Sequence, residues 1–592
     1  MTKLTDFKPL SVLELPGAGE IKTDGLILIV GPNSSGKSQL LRDIYHRLAG
    51  DSRNLVVANK IKVADMELES LISCLKSEGY LYSLYNDDGV ERLRPMTTFG
   101  TGEAAAELDP NQSKAWYQTH KQLESSPRKR RSEFLAYFGK MLVTQLFLER
   151  RLSALSAVST IDFENSSPQH DLHALYLNNP AREELLNEVR ASFAKAIWPD
   201  ISRGNVLCMR ISSDDKGELP SAEDRLDPRK MRLFRTIETE GDGFKSYVAT
   251  CVALLLNRRP VCLLDEPELC LHPPQALSLG RFIGRYGASD ASVTLVSTHS
   301  SEILRGAIQA QSNIQIIRLI RQNGGFHAHL VPAPVLQAAL ARPTVRAESV
   351  LDGIFSQAVV LVEADTDRTV YEAVWEALLD EFNNDIHFSA VGGIGGFADT
   401  RHLYCTLNIP SAVIADLDLL TKIDTLERIL KSSIKSEETV DRLYAEARGI
   451  NSIMRTIPPT ISADEVRGRL IDISASAMNW SNGDDARRRN EVLVVARELD
   501  RMARVKAVGV NGFEEPFKQR LKNFLESLAH EGIFLVPVGE LESWLSTAEI
   551  KASRKKKWNW ANEAASFVRS HAPEEHGIWE FVRSIATYLF PS

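Results

Sequence analysis

The chain repeatedly passes from a short apolar run, through a glycine-rich or acidic turn, into a segment with helical periodicity. Apolar runs of this length are typical of strands buried on both faces of a parallel sheet. Two stretches, about 65–200 and about 420–530, interrupt the alternation with charged, mostly helical patterns. The sequence therefore predicts an α/β protein of two domains, each with a helical insertion. The apolar runs lie at 26–30, 261–264, 291–298, 358–362, 411–415 and 532–538.

The two domains are predicted to meet just after Arg342-Pro-Thr344, which gives a first domain of residues 1–345 and a second of residues 346–592. Within the first insertion, the periodic stretch Ser132–Ser156 predicts a long helix, and helical arms of this kind often mediate dimer contacts. The basic run at 128–131 suits either a contact with phosphates or a solvated helix start.

Composition and charge narrow the class of protein. The 592 residues carry a net charge of −8, so any site for nucleic acid has to be a local basic patch. Six scattered cysteines without a C-x-x-C pair argue against a disulfide framework or a zinc site. No apolar run approaches the roughly 20 residues of a membrane span, and no secretory signal is recognisable. We therefore expect a cytoplasmic protein without a membrane partner.

The segment Gly31–Ser38 reads Gly-Pro-Asn-Ser-Ser-Gly-Lys-Ser and stands between an apolar run and a helical pattern. A G-x-x-x-x-G-K-S loop in this setting cradles a polyphosphate with backbone N–H groups and the positive end of the helix. Lys37 is expected to reach the β- and γ-phosphates, and the Ser38 hydroxyl to hold Mg²⁺. The predicted ligands of ATP are Gly31, Asn33, Ser34, Ser35, Gly36, Lys37 and Ser38.

Two later apolar runs end in residues that complete such a site. Asp265 and Glu266 end one run, and His299 ends the next. Asp265 is expected to coordinate the Mg²⁺ shared with Ser38, and Glu266 to polarise the attacking water. His299 is placed to sense the γ-phosphate. Each feature alone is often only a strand end or a structural histidine, and it is their order behind the P-loop that favours an ATPase.

The second domain carries a different set of acids. Glu363 ends one apolar run, Asp367 follows at the start of a helical pattern, and Asp416 and Asp418 end a later run. Residues i and i+2 of an extended segment point alike, and parallel strands deliver their ends to one sheet edge. Carboxylates gathered there repel one another unless a cation binds, and oxygen ligands favour Mg²⁺ or Mn²⁺ over zinc. The alternative is that the Asp-x-Asp pair only ends a strand and caps a turn.

The motifs of the first domain, taken in order, resemble those of ABC-type ATPases in the branch shared with SMC and Rad50-like proteins. The resemblance covers roughly residues 20–60 and 200–320, including a D-loop at 269–273. The signature departs from Leu-Ser-Gly-Gly-Gln and reads Gly241-Asp-Gly-Phe-Lys-Ser246, and no Q-loop glutamine is assigned. In that family the signature of one subunit caps the ATP held by the other. The resemblance thus implies a dimer in which Gly243, Lys245 and Ser246 contact ATP.

A strand-end Glu followed by a later Asp-x-Asp resembles the TOPRIM fold. An ABC-type ATPase followed by a TOPRIM domain resembles the OLD (overcoming lysogenization defect) nucleases, which include the nuclease subunit of the Gabija anti-phage system and effectors of some retrons. The resemblance implies that Glu363, Asp367, Asp416 and Asp418 bind metal, although the usual Gly after the Glu is Ala364 here.

The end of the second domain adds two expectations from this resemblance. The segment 532–542 resembles the final acidic strand of OLD TOPRIM domains, so that Glu540 or Glu542 faces the metals, with Glu540 preferred. OLD nucleases also place a lysine near the scissile phosphate, for which the candidates are Lys555, Lys556 and Lys557. The basic run equally suits a solvated surface, and the tryptophans at 558 and 560 either stack bases or pack in the core.

Together these features predict an ATP-binding, metal-dependent endonuclease of the OLD type with Mg²⁺ or Mn²⁺ at both sites and a role in anti-phage defence. DNA is preferred over RNA as the substrate. The expected partners are further copies of the chain, as a homodimer or higher homo-oligomer, and a co-encoded defence-system protein or nucleic acid. The alternative is an ATPase sensor or scaffold that binds or releases a partner protein and whose TOPRIM domain is not catalytic.

Overall fold

The chain divides into two compact units, Met1–Gln337 and Ala338–Ser592. The structure is a computed structural model. The residues that it describes are 4–64, 66, 68–78, 81–85, 91–95, 139–166, 168–212, 218–256, 259–287, 292–310, 314–322, 324–331, 348–382, 384–456, 463–475, 489, 491–493, 495, 505–506, 508–546, 550–552 and 556–591.

The first unit is built around a six-stranded sheet. The strands of this unit are β1 (Leu10–Leu15), β2 (Gly19–Ile21), β3 (Gly25–Val30), β4 (Lys60–Val63), β5 (Leu81–Tyr85), β6 (Glu91–Pro95), β7 (Val143–Leu146), β8 (Val158–Ser159), β9 (Ile197–Asp200), β10 (Val206–Ile211), β11 (Arg235–Thr236), β12 (Val261–Asp265), β13 (Val293–Ser297), β14 (Ile314–Gln322) and β15 (Gly325–Val331).

The order of the central sheet is β15-β14-β3-β13-β12-β7, and only the β14–β15 pair is antiparallel. The middle strands β3, β12 and β13 are apolar and buried along almost their whole length, as expected for strands covered on both faces. Because these three strands are parallel, their C-terminal ends meet at one edge, where α/β proteins bind ligands.

Helices cover the central sheet of the first unit. The described helices are α1 (Lys37–Leu48), α2 (Leu68–Ser77), α3 (Leu148–Ser153), α4 (Asp171–Leu177), α5 (Asn179–Phe193), α6 (Ala222–Leu226), α7 (Pro228–Met231), α8 (Asp242–Leu256), α9 (Pro273–Gly287) and α10 (Ser301–Ala310). Helix α1 follows the P-loop and buries Leu40, Leu41, Ile44 and Leu48 in the same core as Ile27 of β3. This spacing of three and four residues is that of one helix face.

The expected long helix at Ser132–Ser156 is wrong for its described part. Residues 139–142 form a short 3-10 helix, residues 143–146 form β7, and α3 follows. All residues of β7 are buried, and the strand pairs in parallel with β12, so an apolar stretch with helix-like spacing serves as an outer strand of the central sheet. The strands β5–β6 and β8–β9 also make the region 65–200 mixed rather than helical. Its basic run at 128–131 lies outside the described residues.

The second unit is built around a four-stranded parallel sheet of order β17-β16-β18-β19. Its strands are β16 (Ala358–Val362), β17 (Ile386–Ala390), β18 (Ser411–Ala415) and β19 (Ile533–Leu535). Its described helices are α11 (Glu348–Asp352), α12 (Asp365–Ala377), α13 (Phe397–Thr406), α14 (Ile423–Ser433), α15 (Glu437–Met454), α16 (Ala463–Ala475), α17 (Phe517–His530), α18 (Leu541–Trp544), α19 (Lys557–Ser570) and α20 (Ile578–Leu589).

The core of the second unit joins α12, α19 and α20 to the sheet, for example through Val374, Ala564 and Val582. Between 420 and 530 the described residues contain helices and turns but no strand. None of the described helices has the length and apolar character needed to cross a membrane.

Candidate functional site

The P-loop connects β3, in the middle of the central sheet, to α1. Gly31 has a φ of 140°, and a Cβ atom there would lie 2.1 Å from the carbonyl oxygen of Leu319, so only glycine fits. Lys37 and Ser38 open α1, whose N-terminal N–H groups and positive dipole end favour an anion. Asn33 and Ser34 are exposed, whereas Ser35 is buried. The loop residues therefore fit the phosphates of ATP.

The Lys37 ammonium is held inside the loop. Its Nζ donates hydrogen bonds of 2.8 Å to the carbonyl oxygens of Gly31 and of Pro32. Burial lowers the pKa of Lys37 to about 8, while the charges of Glu266, Glu268 and Asp265 oppose that shift. These acids therefore lie within electrostatic reach of the P-loop, and phosphates beside Lys37 would favour its charged form further.

The predicted residues Asp265, Glu266 and His299 are brought together beside the P-loop. The Oε1 atom of Glu266 lies 3.2 Å from Nε2 of His299, and this contact lowers the pKa of Glu266. Ser297 Oγ donates a 2.5 Å hydrogen bond to Asp265 Oδ1. Glu266 has a φ of 46°, a left-handed conformation that is uncommon outside glycine and concentrates at functional sites. The Glu266–His299 pair thus has the geometry expected of a general base and its partner.

Glu268 positions His299, a role that the sequence did not suggest. Its Oε1 accepts a 2.7 Å hydrogen bond from the His299 backbone N–H and a 2.8 Å bond from Thr298 Oγ1. Burial raises the pKa of Glu268, although both of these hydrogen bonds act in the opposite direction. The side chain thereby fixes the turn in which His299 follows β13.

Arg151 is the second residue that the sequence did not suggest. Its guanidinium is fully buried and donates to the carbonyl oxygens of Asp265 at 2.6 Å and Glu266 at 2.9 Å. It also donates to the carbonyl oxygen of Leu146 and, through Nε, to Ser246 Oγ at 2.8 Å. Arg151 therefore joins the end of β12 to the helix that carries the signature.

The expected role of Ser246 is corrected by this contact. Ser246 lies in the second turn of α8, is fully buried and accepts a hydrogen bond from Arg151, so its hydroxyl cannot contact ATP of another subunit. Gly243 and Lys245 lie in the first turn of α8 and are only partly buried, with Lys245 Nζ 3.3 Å from Asp242 Oδ1. These two residues remain the predicted contacts to ATP across a dimer.

The acids of the second unit gather at the C-terminal edge of its sheet. Glu363 follows β16, Asp416 follows β18, and these two strands are parallel neighbours. Asp367 lies in the first turn of α12, where its Oδ2 accepts a 3.1 Å hydrogen bond from the Ala364 N–H. Asp418 lies in a 3-10 turn (Leu417–Thr421) directly after β18. All four predicted acids are thus placed at one edge.

The pKa values of these acids report how closely they lie. Burial raises the pKa of Asp367 to about 7, and the charges of Asp416, Glu363 and Glu542 add to the shift. Burial also raises the pKa of Asp416 to about 6, with Asp418 and Glu363 adding to the shift and Lys506 opposing it. Perturbed carboxyl groups at a sheet edge are typical of a functional site.

Two of the described lysines contact these acids: Lys422 Nζ lies 3.5 Å from Asp418 Oδ2, and Lys506 reaches both aspartates. The Lys506 Nζ lies 3.2 Å from Asp416 Oδ2 and 3.1 Å from Asp418 Oδ2. Burial opposes its charge, but the two aspartates raise the pKa of Lys506 above its usual value. In the described part of the chain no three Asp, Glu, His or Cys side chains are gathered at the spacing of one metal ion. The Lys506 ammonium lies between the two aspartates.

Glu540 and Glu542 lie on a turn rather than on the expected strand. Strand β19 ends at Leu535, Glu540 directly precedes α18, and Glu542 is in the first turn of that helix. Gly539, with a φ of 104°, packs so closely that a Cβ atom would lie 2.0 Å from the Lys506 carbonyl oxygen. Burial raises the pKa of Glu540, and Glu542 and Asp416 add to the shift. Both glutamates therefore face the other acids and both remain candidates.

The structure describes two of the three expected lysines. Lys555 is outside the described residues, and Lys556 and Lys557 are exposed at the start of α19. Lys506, which contacts two of the acids, is therefore a further candidate, and the roles of the three expected lysines stay predictions. Of the two tryptophans, Trp560 packs in the core with 3% of its surface exposed, whereas Trp558 is 55% exposed.

The sequence around Arg151 and Lys506, the two residues that the sequence analysis missed, contains little that would indicate a functional role. Arg151 and Lys506 lie in stretches interpreted as insertions, more than 80 residues along the chain from Asp265 and Asp416 respectively. Spacing arguments do not reach across such distances. The nearest hint is Gly509, just after Lys506, because an isolated glycine often marks a close backbone approach.

Two family models match the chain. The model described as "Overcoming lysogenization defect protein-like, TOPRIM domain" matches residues 354–418, which include the four acids from Glu363 to Asp418. The model described as "AAA domain, putative AbiEii toxin, Type IV TA system" matches residues 147–305, which include Arg151, Asp265, Glu266 and His299. No curated protein sequence matches the chain significantly.

Several solved structures are similar to parts of the chain at low identity. One is an SMC head bound to the C-winged helix domain of ScpA, with 13% identity, a TM-score of 0.32, and coverage of 57% of this chain and 99% of that chain. Another is the SMC head domain from Thermotoga maritima, with 12% identity, a TM-score of 0.27, and coverage of 54% and 97%. A third is an ATP binding subunit of an ABC transporter, with 14% identity, a TM-score of 0.23, and coverage of 56% and 92%.

At these TM-scores the solved structures add nothing to the assignment, which the two family models carry. Each model falls within one of the two compact units and covers residues of one site. The chain therefore combines an AAA-type ATPase domain with an OLD-like TOPRIM domain.

Proposed function

We propose that this chain is a divalent-metal-dependent nuclease whose TOPRIM site hydrolyses phosphodiester bonds under the control of ATP in the first domain. One observation carries the proposal: Glu363, Asp367 and Asp416 lie at one sheet edge, where the charges of Glu363 and Asp416 help to raise the pKa of Asp367. Ionised carboxyl groups that lie this close repel one another, which lowers the stability of the folded protein. Such a cluster is typical of a functional site.

The donor set of the TOPRIM site fits a hard divalent cation. Carboxylate oxygens are the ligands that Mg²⁺ and Mn²⁺ prefer, and the raised pKa values of Asp367 and Asp416 mark negative charge that a cation would neutralise. The ligands would be Glu363, Asp367, Asp416 and Asp418, with Glu540 or Glu542. When bound, the metal supplies an activated water and charge stabilisation for the phosphate.

Lys506 takes the part expected of a lysine near the scissile phosphate. Its ammonium is already at the sheet edge, within 3.2 Å of Asp416 and Asp418. Once another cation neutralises these aspartates, Lys506 is available to donate to phosphate oxygens and to stabilise the charge that develops on them. A lysine can move from the aspartates to a phosphate because its ammonium is a compact charge on a flexible side chain.

The finer assignments follow from the OLD resemblance. The proposed substrate is DNA rather than RNA, and the proposed metal is Mg²⁺ or Mn²⁺ at both sites. The proposed setting is anti-phage defence in the cytoplasm by a homodimer or higher homo-oligomer. ATP held by the P-loop is the control input, since its site lies in a different unit from the TOPRIM acids.

Cleavage of supercoiled plasmid DNA by the purified chain tests the proposal. With Mg²⁺ or Mn²⁺ we expect nicking or linearisation, and a loss of at least about a hundredfold in Asp416→Ala and Lys506→Ala, because a metal ligand or a phosphate cation is removed. Lys522→Ala, which changes an exposed lysine of α17, should cleave like the parent.

Two results would favour the alternative of an ATPase sensor or scaffold with a non-catalytic TOPRIM domain. One is the absence of cleavage by the parent with either metal. The other is unchanged cleavage by Asp416→Ala in a preparation that unfolds at the same temperature as the parent.

A further inference from the structure

The basic run after Glu542 includes the lysines that are expected near the scissile phosphate. In a chain with a net charge of −8, Lys556 and Lys557 are adjacent and exposed, and Trp558 beside them is 55% exposed. A tryptophan held in water forgoes the stabilisation that its large apolar surface provides on burial. An exposed tryptophan flanked by lysines is therefore better explained by a ligand than by folding.

This end of α19 lies beside the acids of the TOPRIM site. Helix α19 packs against α12 in the core of the second unit, where Trp560 and Val370 belong to the same cluster. At the C-terminal ends of the two helices, Arg569 Nε of α19 lies 2.7 Å from Glu376 Oε2 of α12. The two helices therefore run in the same direction, and their N-terminal ends lie next to each other.

The acids mark the N-terminal end of this helix pair. Asp367 is in the first turn of α12, and Lys557 is the first residue of α19. Lys557 and Trp558 therefore lie at the end of the helix pair that carries Asp367.

We propose that Trp558 stacks on a nucleobase of the substrate and that the site takes strands whose bases are unpaired near the cleaved phosphate. This inference rests on the proposed nuclease function. Aromatic side chains bind single strands because every base offers a π face, while neighbouring lysines hold the phosphates. In a duplex the bases are stacked on one another, so a side chain can stack on a base only after that base has been unpaired, which costs free energy.

Binding of labelled oligonucleotides to the full chain tests this inference. Fluorescence anisotropy is measured in EDTA, which prevents cleavage, with one mixed-sequence single strand and with the duplex that it forms with its complement. We expect Trp558→Ala to weaken the Kd for the single strand about tenfold and to leave the Kd for the duplex unchanged. Trp558→Phe should restore most of the affinity because it keeps an aromatic face.

Leu379→Ala is the matched control, since Leu379 is 48% exposed just beyond the opposite end of α12 and should not affect either Kd. Equal affinities of Trp558→Ala and the parent for the single strand would overturn the inference, as would an equal loss on single strand and duplex. Neither result would affect the proposed nuclease function. If the parent binds neither oligonucleotide in EDTA, this inference is overturned as well, and plasmid cleavage with Mg²⁺ or Mn²⁺ decides the proposed function separately.

Discussion

At the scale of single residues, Asp367 shows how the fold creates a charged site at a cost. Its carboxyl group caps the start of α12. Burial, with the charges of Asp416 and Glu363 adding to it, raises the pKa of Asp367 to about 7. The usual pKa of an aspartate is about 4. The folded protein therefore holds this proton more tightly than the unfolded chain does between about pH 4 and pH 7.

The sign of the effect on stability follows from that difference. The contribution of Asp367 is fully present below about pH 4 and is lost as the pH rises through about 7. In EDTA at pH 8 we expect Asp367→Asn to raise the Tm of the second unit by about 2–4 °C, because the amide carries no charge and still accepts the Ala364 N–H. Differential scanning calorimetry from pH 4 to pH 8 checks this.

Asp365→Asn provides the control, because Asp365 is exposed in the same helical turn. Its Tm should follow that of the parent at each pH. If the curves of Asp367→Asn and the parent stay parallel from pH 4 to pH 8, Asp367 does not carry the repulsion assigned to it.

At the scale of secondary structure elements, Arg151 connects the pieces of the ATPase site. It lies on the short helix α3 after β7 and binds the end of β12 and the first turns of α8. No other described side chain donates hydrogen bonds to both Asp265 and Glu266 carbonyl groups. The guanidinium therefore fixes the backbone at Glu266, whose φ of 46° needs support from its surroundings.

Arg151→Lys tests this connection. Lysine keeps the charge but cannot donate to several carbonyl groups in one plane, so two or more buried acceptors lose their partner. We expect ATP turnover to fall about tenfold or more and the Tm of the first unit to drop, with phosphate release and calorimetry as the measurements. Arg229→Lys, at an exposed arginine of α7, should leave both unchanged. Full turnover in Arg151→Lys would show that Glu266 is held without it.

At the scale of the whole molecule, two sites in two compact units share one chain. The residues predicted to bind ATP lie in the unit Met1–Gln337, and the TOPRIM acids lie in the unit Ala338–Ser592. The P-loop, Asp265, Glu266 and His299 form a site with the parts needed to bind and hydrolyse ATP. The signature segment departs from the usual Leu-Ser-Gly-Gly-Gln, and Gly243 and Lys245 stay the predicted contacts to ATP across a dimer.

Glu266→Gln separates binding of ATP from its hydrolysis. The amide keeps the shape of the side chain but cannot accept the proton of the attacking water, so ATP should be trapped. We expect phosphate release to fall at least about a hundredfold and the trapped protein to run as a dimer with ATP, as measured by light scattering. Lys37→Ala, which loses the phosphate contact, should stay in its ATP-free state. Equal turnover in Glu266→Gln and the parent would exclude Glu266 as the base.

Local sequence was sufficient wherever a site is made by residues close together in the chain. The P-loop is one contiguous turn, and Asp265–Glu266, His299, Glu363 and Asp416 each end a recognisable apolar run. Within each unit, parallel pairing then carries the strand ends to one edge of that unit's own sheet, which is why their meeting was predictable from sequence. The prediction was wrong at Val143–Leu146 because an outer strand buried on both faces has the same apolar spacing as a helix.

Tertiary structure alone determined which lysine contacts both Asp416 and Asp418 of the TOPRIM site. Three lysines near Glu542 in the sequence appeared to be candidates, yet Lys506 reaches Asp416 and Asp418 from a segment 90 residues away in sequence from Asp416. Ser246 was expected to contact ATP, and the fold instead buries it against Arg151. The sequence by itself determined the carboxylates and the phosphate loop, because each depends on a local strand and turn. Only packing determined their partners, since long flexible cations can approach a sheet edge from any segment that the fold brings near.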